Sequence, residues 1–374
     1  MPRDLIVFGE DWGGLPSSTQ HLIRHLGSDR KVLWVNSIGL RRPRLQPRDL
    51  QRAWHKLLHS QRNGPAPTGE PEQARFRVLN PRTLPVPRTR LARRIASGML
   101  ARQIRPLAQQ MGLQSPVLWT SLPTAVDVAG QLGESALLYY CGDDFGALAG
   151  VDHATVSRRE VELAGKADLI LAASDRLAER FPAARTRLLP HGVDHALFAT
   201  PCPRAPDLPD DGRPVAGFYG SISEWIDIEL LVACAQRLPH WHFVFIGTPV
   251  IDIQPLQRLH NVRLLGPRAH AQLPGYVQHW NVSLLPFRDN AQIQACNPLK
   301  LREYLAAGRP IVSTPFPALQ PYQAHVSTVS NAGEMVAALQ AAADMPCSPD
   351  QQASVAEHTW QARAAQLATW VERL

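Results

Sequence analysis

The stretch from Asn297 to Thr314, NPLKLREYLAAGRPIVST, sets a cation and a carboxylate three residues apart, Lys300 and Glu303. The spacing predicts a short helix between a loop and a strand, ended by Gly308, and residues three apart share a helical face. Asn297 suits the cap of that helix and Pro298 its first turn. The N–H groups left free there, around Asn297 and Leu299, and the positive end of the helix dipole attract an anion. Lys300 adds a compact point charge suited to a diphosphate. Glu303, one turn later, can accept two hydrogen bonds from a vicinal diol such as that of a ribose. The alternative is an ordinary surface Lys–Glu pair, worth only about 0.2–0.5 kcal/mol.

Other residues could join this chemistry. In GFYGSISEWID a strand ends at Tyr219, and Gly220 with Ser221 opens a loop whose backbone can approach a phosphate. In SLLPFRDN a strand ends at Phe287, which either stacks on a base or packs at a cleft edge. YYCGDDF places Asp143 and Asp144 side by side after a strand. Like-charge repulsion can raise the proton affinity of one such carboxylate, while one of the two is expected to cap the next helix. His191 and Asp194 in PHGVDH are candidate sugar or phosphate contacts, or turn residues. Gly13 and Gly14 in GEDWGGLPSSTQH permit close backbone approach.

The elements that must position these residues alternate strand and helix. DLIVFG (4–9), a helix with Leu22, Ile23 and Leu26, and KVLWVNS (31–37) open the chain as βαβ, the pattern of a parallel sheet covered by helices. Strands at 116–121, 136–141 and 167–174 continue it. ATPCPRAPDLPDDGRP, rich in Pro and Asp and aperiodic, reads as a linker. A second alternating run starts at PVAGFYGSI and includes strands at 242–247, 262–266 and 282–287. The fold class is therefore α/β, with two doubly wound domains facing each other across a cleft. Ligands in such sheets bind beyond the carboxyl ends of the strands. The expected boundaries are 1–198 for the first domain, 199–213 for the linker, 214–350 for the second domain and 351–374 for a C-terminal helix that returns to the first.

The chain has 374 residues, 45% hydrophobic and 19% charged, which is a globular composition. No apolar run approaches the roughly 20 residues of a membrane span, and a soluble, cytoplasmic protein is expected. Five scattered cysteines show no metal or redox spacing, so no metal or other cofactor is expected. The net charge is +7, but Arg41 to Arg105 holds 16 Arg and Lys against 3 acids, or +13, which leaves −6 elsewhere. This region, 41–106, reads as a basic insertion with two amphipathic helices, 48–62 and 88–105; the second carries Leu91, Ile95, Met99 and Leu100 on one side. Such helices suit an anionic membrane surface, or else pack as ordinary surface helices. Few interleaved aromatics and no recognition motif argue against nucleic acid.

NPLKLREYLAAGRPIVST, LPHGVDHALF, GFYGSISEWID and YVQHWNVSLLPF together resemble bacterial GT-B fold glycosyltransferases of the family 4-like and family 1-like, cell-envelope or exopolysaccharide type. The xanthan glucuronosyltransferase is a further resemblance. It implies two Rossmann-like domains, the second binding a nucleotide-sugar donor (UDP-linked by family frequency), with Glu303 on the ribose and Lys300 near the diphosphate. Phe287 would lie at the base-binding strand end, Gly220 and Ser221 at the phosphate loop, and Gly13 and Gly14 in the loop facing acceptor and donor phosphate. Many retaining members carry a second glutamate eight residues before the ribose-binding one; here that position is Ala295. An inverting enzyme needs a base for the acceptor hydroxyl, and the resemblance to the xanthan enzyme ranks Asp144 before Asp143. The implied acceptor is lipid-linked or a glycan, at the inner face of the cytoplasmic membrane. An epimerase, an inactive scaffold of the same fold and a basic nucleic-acid-binding protein are the alternatives.

Overall fold

The computed structural model describes residues 2–14, 17–38, 75–84, 87, 89–147 and 152–374. The helix expected over 48–62 lies outside them. The chain divides into two compact units, residues 1–190 with 363–374, and residues 191–362.

The first unit is built on seven parallel strands: β1 (Leu5–Phe8), β2 (Val32–Val35), β3 (Phe76–Leu79), β4 (Val117–Thr120), β5 (Ala136–Cys141), β6 (Leu169–Ala172) and β7 (Thr186–Leu188). Their order is β3-β2-β1-β4-β5-β6-β7. The central strands are apolar and buried along their whole length, since helices cover both faces. The helices are α1 (Ser18–Leu26), α2 (Arg90–Gln110), α3 (His153–Lys166) and α4 (Asp175–Ala178). The sheet order reverses between β1 and β4, so the switch point lies beside the loop that carries Gly13 and Gly14.

The region read as an insertion is in part a regular member of this sheet. β3 pairs with β2 in register from Phe76↔Val32 to Leu79↔Val35. α2 buries Ala96, Ser97, Leu100, Ala101, Ile104 and Ala108. The expected apolar stripe is thereby split. Leu100 enters the core, while Leu91 and Ile95 are 70% and 48% exposed.

The second unit contains β8 (Val215–Tyr219), β9 (His242–Ile246), β10 (Val262–Leu264), β11 (Val282–Leu285), β12 (Ile311–Ser313) and β13 (Ser327–Thr328), all parallel in the order β10-β9-β8-β11-β12-β13. Its helices are α5 (His195–Ala199), α6 (Ile228–Arg237), α7 (Gln254–Gln257), α8 (Pro274–Val277), α9 (Ala291–Ala295), α10 (Leu299–Ala307), α11 (Ala332–Ala342) and α12 (Pro349–Ala353). The final helix α13 (Trp360–Val371) starts in this unit and its last residues belong to the first. There Glu372 accepts from the Arg3 N–H at 3.1 Å and from Arg30 Nη1 at 2.9 Å.

Residues 199–213, expected as a linker, are a strap fastened to the second unit. Cys202 N–H donates to Gln278 Oε1 (3.0 Å), Ala205 N–H to the Gly275 carbonyl (2.9 Å), and Asp207 accepts from Tyr276 OH (2.6 Å) and pairs with Arg268. Proline removes periodicity from such a segment without removing its tertiary hydrogen bonds.

The centre of this unit depends on Gly217. A Cβ there would lie 1.7 Å from the Trp280 ring, so β8 needs a residue without one. Gly217→Ala is expected to shift the unfolding of this unit by about 3 kcal/mol, read as a lower urea midpoint at unchanged slope.

Candidate functional site

In the second unit the strand order reverses between β8 and β11, which puts the switch point beside Gly220 and Ser221. Gly220 has φ +130°, a conformation that a side chain disfavours, and its N–H donates to the Ile246 carbonyl at 2.8 Å. Lys300 occupies the space a Cβ at Gly220 would need: that Cβ would meet Lys300 Cε at 2.5 Å and Nζ at 3.0 Å. Lys300 Nζ also lies 5.5 Å from the centroid of the Phe218 ring. Ser221 is exposed in the same loop. Two residues on, Ser223 Oγ is buried and has no hydrogen-bond partner among the described residues.

Glu303 is not on an outward face with Lys300. It is 8% exposed, and both carboxylate oxygens are engaged: Oε1 by His270 Nε2 at 2.7 Å and Oε2 by the Tyr219 hydroxyl. Burial, then the neighbouring carboxylate, push the Tyr219 hydroxyl well above its ordinary pKa, so it stays a donor. Tyr219 is the last residue of β8 and Gly220 the next. One helix therefore delivers Lys300 and Glu303 to two consecutive residues at the end of one strand.

Three expected details differ. Pro298, not Asn297, is the cap residue of α10, and no side chain caps it. Asn297 is buried and its Oδ1 accepts from Arg302 Nη1, which draws it away from the helix end. Leu299 is the first helical residue. The Phe287 ring is 4% exposed and packs edge-on to Phe316 at 5.4 Å, so it offers no open face for a base to stack on. Its N–H donates to Thr314 Oγ1 at 2.9 Å and its carbonyl accepts from the same hydroxyl at 2.7 Å, which fixes the backbone there. Asp194 caps α5 through Leu197 N–H, and His191 is buried 6.4 Å from the Trp360 ring.

In the first unit, Asp143 and Asp144 follow β5 as expected. Asp144 Oδ1 accepts from Gly146 N–H at 2.9 Å and from Arg180 Nη1 at 2.7 Å. Oδ2 has no hydrogen-bond partner among the described residues. Asp143 is exposed. The other arm of Arg180 bonds Glu160 Oε2 at 2.6 Å. Glu160 is 3% exposed and accepts from Tyr139 OH at 2.7 Å. Burial acts to lower the Arg180 pKa, but Glu160 and Asp144 outweigh it and raise it. Burial, then Glu160, hold the Cys141 thiol well up, so it stays neutral. Gly13 has φ +77° and open space where a Cβ would stand; its N–H donates to Gln20 Oε1 at 3.3 Å, and Gly14 N–H donates to the Asp11 carbonyl at 3.0 Å.

Sequence reasoning missed His270, Tyr219, Glu160 and Arg180. Tyr219 could have been found as the strand residue before Gly220; nothing local marks the other three. Among the described residues no group of three or more His, Cys, Asp and Glu is placed to hold a metal ion. Arg180→Ala leaves the buried Glu160 carboxylate without its cation and is expected to destabilise the first unit by about 3 kcal/mol. Adding Glu160→Gln should recover part of that in urea unfolding.

Residues 213–344 match the family described as Glycosyl transferases group 1. A protein of Bacillus subtilis (strain 168) named as a teichuronic acid biosynthesis glycosyltransferase, TuaH, is 28% identical over 227 residues. That alignment covers 55% of this chain and 57% of the relative's length. Sucrose-phosphate synthase from Thermosynechococcus elongatus superposes with a TM-score of 0.70 at 18% identity, over 99% of this chain and 98% of that one. Anabaena HepE in complex with UDP gives 0.66 at 16% identity, covering 100% of both chains. The chain thus has the GT-B fold, and its second unit carries a domain of the glycosyl transferases group 1 family.

Proposed function

We propose that the protein is a glycosyltransferase that moves a sugar from a uridine diphosphate sugar to a lipid-linked or glycan acceptor in cell-envelope polymer assembly. One observation carries the donor half: α10 brings Lys300 against Gly220 and Glu303 onto Tyr219, at the carboxyl end of β8 beside the switch point. The Ser221 N–H and Lys300 would take the diphosphate, and Glu303 the ribose diol. UDP bound to HepE and the naming of TuaH support the donor and the polymer class.

Transfer requires that the acceptor hydroxyl lose a proton as the sugar–phosphate bond breaks. Asp144 is the proposed base. Arg180 and Gly146 N–H hold one of its oxygens, and the other is left for the acceptor. Lys300 and the α10 N-terminus would meet the charge of the departing diphosphate, so no acid need protonate it. Asp143 stands beside the base, and His191, Gly13 and Gly14 are secondary candidates for substrate contact.

The acceptor is proposed to be met at an anionic membrane face. No helix among the described residues is long and apolar enough to cross a membrane. The N-terminal turns of α2 instead expose Leu91 and Ile95 beside Arg90 and Arg94, a pattern suited to lying in a headgroup layer.

A panel of nucleotide sugars should raise the melting temperature for a uridine donor, with about 2.7 kcal/mol of stabilisation at a hundredfold excess over Kd. Glu303→Ala should remove both that shift and transfer, whereas Asp144→Asn should keep the shift and lose turnover by about a hundredfold or more. No shift with any nucleotide sugar refutes the donor assignment. Leu91→Glu with Ile95→Glu should reduce co-flotation with anionic vesicles; binding equal to the wild type would exclude this face.

A further inference from the structure

The proposed donor site has one carboxylate, and that carboxylate is already engaged by the protein. Glu303 receives the His270 Nε2 contact at 2.7 Å on one oxygen and the Tyr219 hydroxyl on the other. A carboxylate has about four acceptor positions. Two donors from the protein leave two, one on each oxygen, the number a 2′,3′-diol supplies as donors.

Each of these donors is itself held by further contacts. The Tyr219 ring stacks at 6.5 Å from Trp280 and meets Tyr304 edge-on at 5.1 Å, with its N–H on Tyr304 OH at 3.2 Å. The His270 ring lies edge-on to Phe198 at 5.4 Å, and His270 opens a one-turn 3-10 helix, His270–Gln272. The preceding Ala269 N–H donates to Gln272 Oε1 at 3.1 Å. Before that, Arg268 Nε donates to Tyr276 OH at 2.9 Å and its Nη2 pairs with Asp207 of the strap. α5 thus meets the imidazole directly, while the strap holds Arg268, two residues before it.

We propose that His270 and Tyr219 are positioning residues that fix the Glu303 carboxylate as a reader of the ribose 2′,3′-diol, so that the protein selects ribonucleotide over 2′-deoxyribonucleotide donors through them. This rests on the reading of the second unit as a nucleotide-sugar site. Losing one of the two fixing donors lets the carboxylate rotate out of the plane in which both hydroxyls are met. The diol then contributes less, while the proposed diphosphate contacts at Ser221 and Lys300 are unchanged.

The test measures Kd for UDP and for 2′-deoxy-UDP by calorimetry on the full chain. The wild type should favour UDP by on the order of tenfold or more, the loss expected for one hydrogen bond to a charged group. His270→Phe should reduce that ratio to within about threefold, mainly by weakening UDP. His270→Gln, which keeps an N–H donor at similar reach, should restore most of it. Tyr219→Phe, which keeps the ring packing, should lower the ratio as His270→Phe does. A wild-type ratio retained in folded His270→Phe or in Tyr219→Phe overturns the proposal. If His270→Phe does not fold, the Gln and Tyr219→Phe variants decide it. A wild type that binds UDP but shows no preference refutes both the diol assignment and the proposal. One that binds no UDP is retested with GDP and 2′-deoxy-GDP, and failure there removes the nucleotide reading itself.

Discussion

The second unit depends on the fit of Trp280 over Gly217. Because β8 has no Cβ there, the indole lies on the strand and touches Tyr219 at 6.5 Å and Tyr304 at 6.0 Å. Tyr304 is fully buried on α10, and its hydroxyl accepts from the Tyr219 N–H. This aromatic cluster joins β8 to α10 at one fixed distance and rotation. Lys300 and Glu303 sit on that helix, one turn and one residue before Tyr304, so their placement against Gly220 and Tyr219 follows from core packing. A site carried by rigid elements holds its geometry better than one carried by loops.

The two units use the same device for a buried acid. In each, a glutamate from a helix accepts from a tyrosine hydroxyl at a strand: Glu160 from Tyr139 of β5, and Glu303 from Tyr219 of β8. A carboxylate taken out of water must be compensated by hydrogen bonds or a countercharge. The second partner differs and changes what the acid can do. Arg180 binds Glu160 as a permanent cation and extends to Asp144 with its other arm, so the buried acid fixes a surface one. His270 on Glu303 likewise covers a single oxygen, but it is an imidazole with no second arm reaching another acid. The first arrangement ties two acids to one cation; the second ties one acid to two uncharged or weakly basic donors.

The alternation of strands and helices was legible because central parallel strands, covered on both faces, are unbroken apolar runs. LIVF, VLWV, VLWT and VSLL need no partner to be recognised. FRVL was not legible: β3 is a four-residue edge strand with a half-buried, exposed, exposed, half-buried pattern, set in a stretch dominated by arginine. Lys300, Glu303, Gly220 and the Asp143–Asp144 pair could be named as candidates from residue type, spacing and the family resemblance. Their partners were not, since His270 lies 33 residues from Glu303 and Arg180 lies 36 from Asp144. Of the two readings of Phe287, the structure shows the packed one, with its ring on Phe316. The cap at Asn297 was inferred from local position, and a bond to Arg302 engages that side chain instead.

Ala295 takes its meaning from this setting. It ends α9 and is buried. A glutamate there would be a second buried acid near the start of α10, in need of its own compensation. With alanine, Glu303 is the acid that α10 itself contributes and Lys300 the cation beside the phosphate loop, joined by the positive end of the helix. Under the proposed function, that balance would place the electrostatic work on a leaving diphosphate. A departing diphosphate whose charge is met in this way needs no proton from the second unit. Under the proposed function the remaining proton transfer, removal from the acceptor, falls to a carboxylate elsewhere, and Asp144, held at one oxygen by Arg180, is the candidate proposed for it.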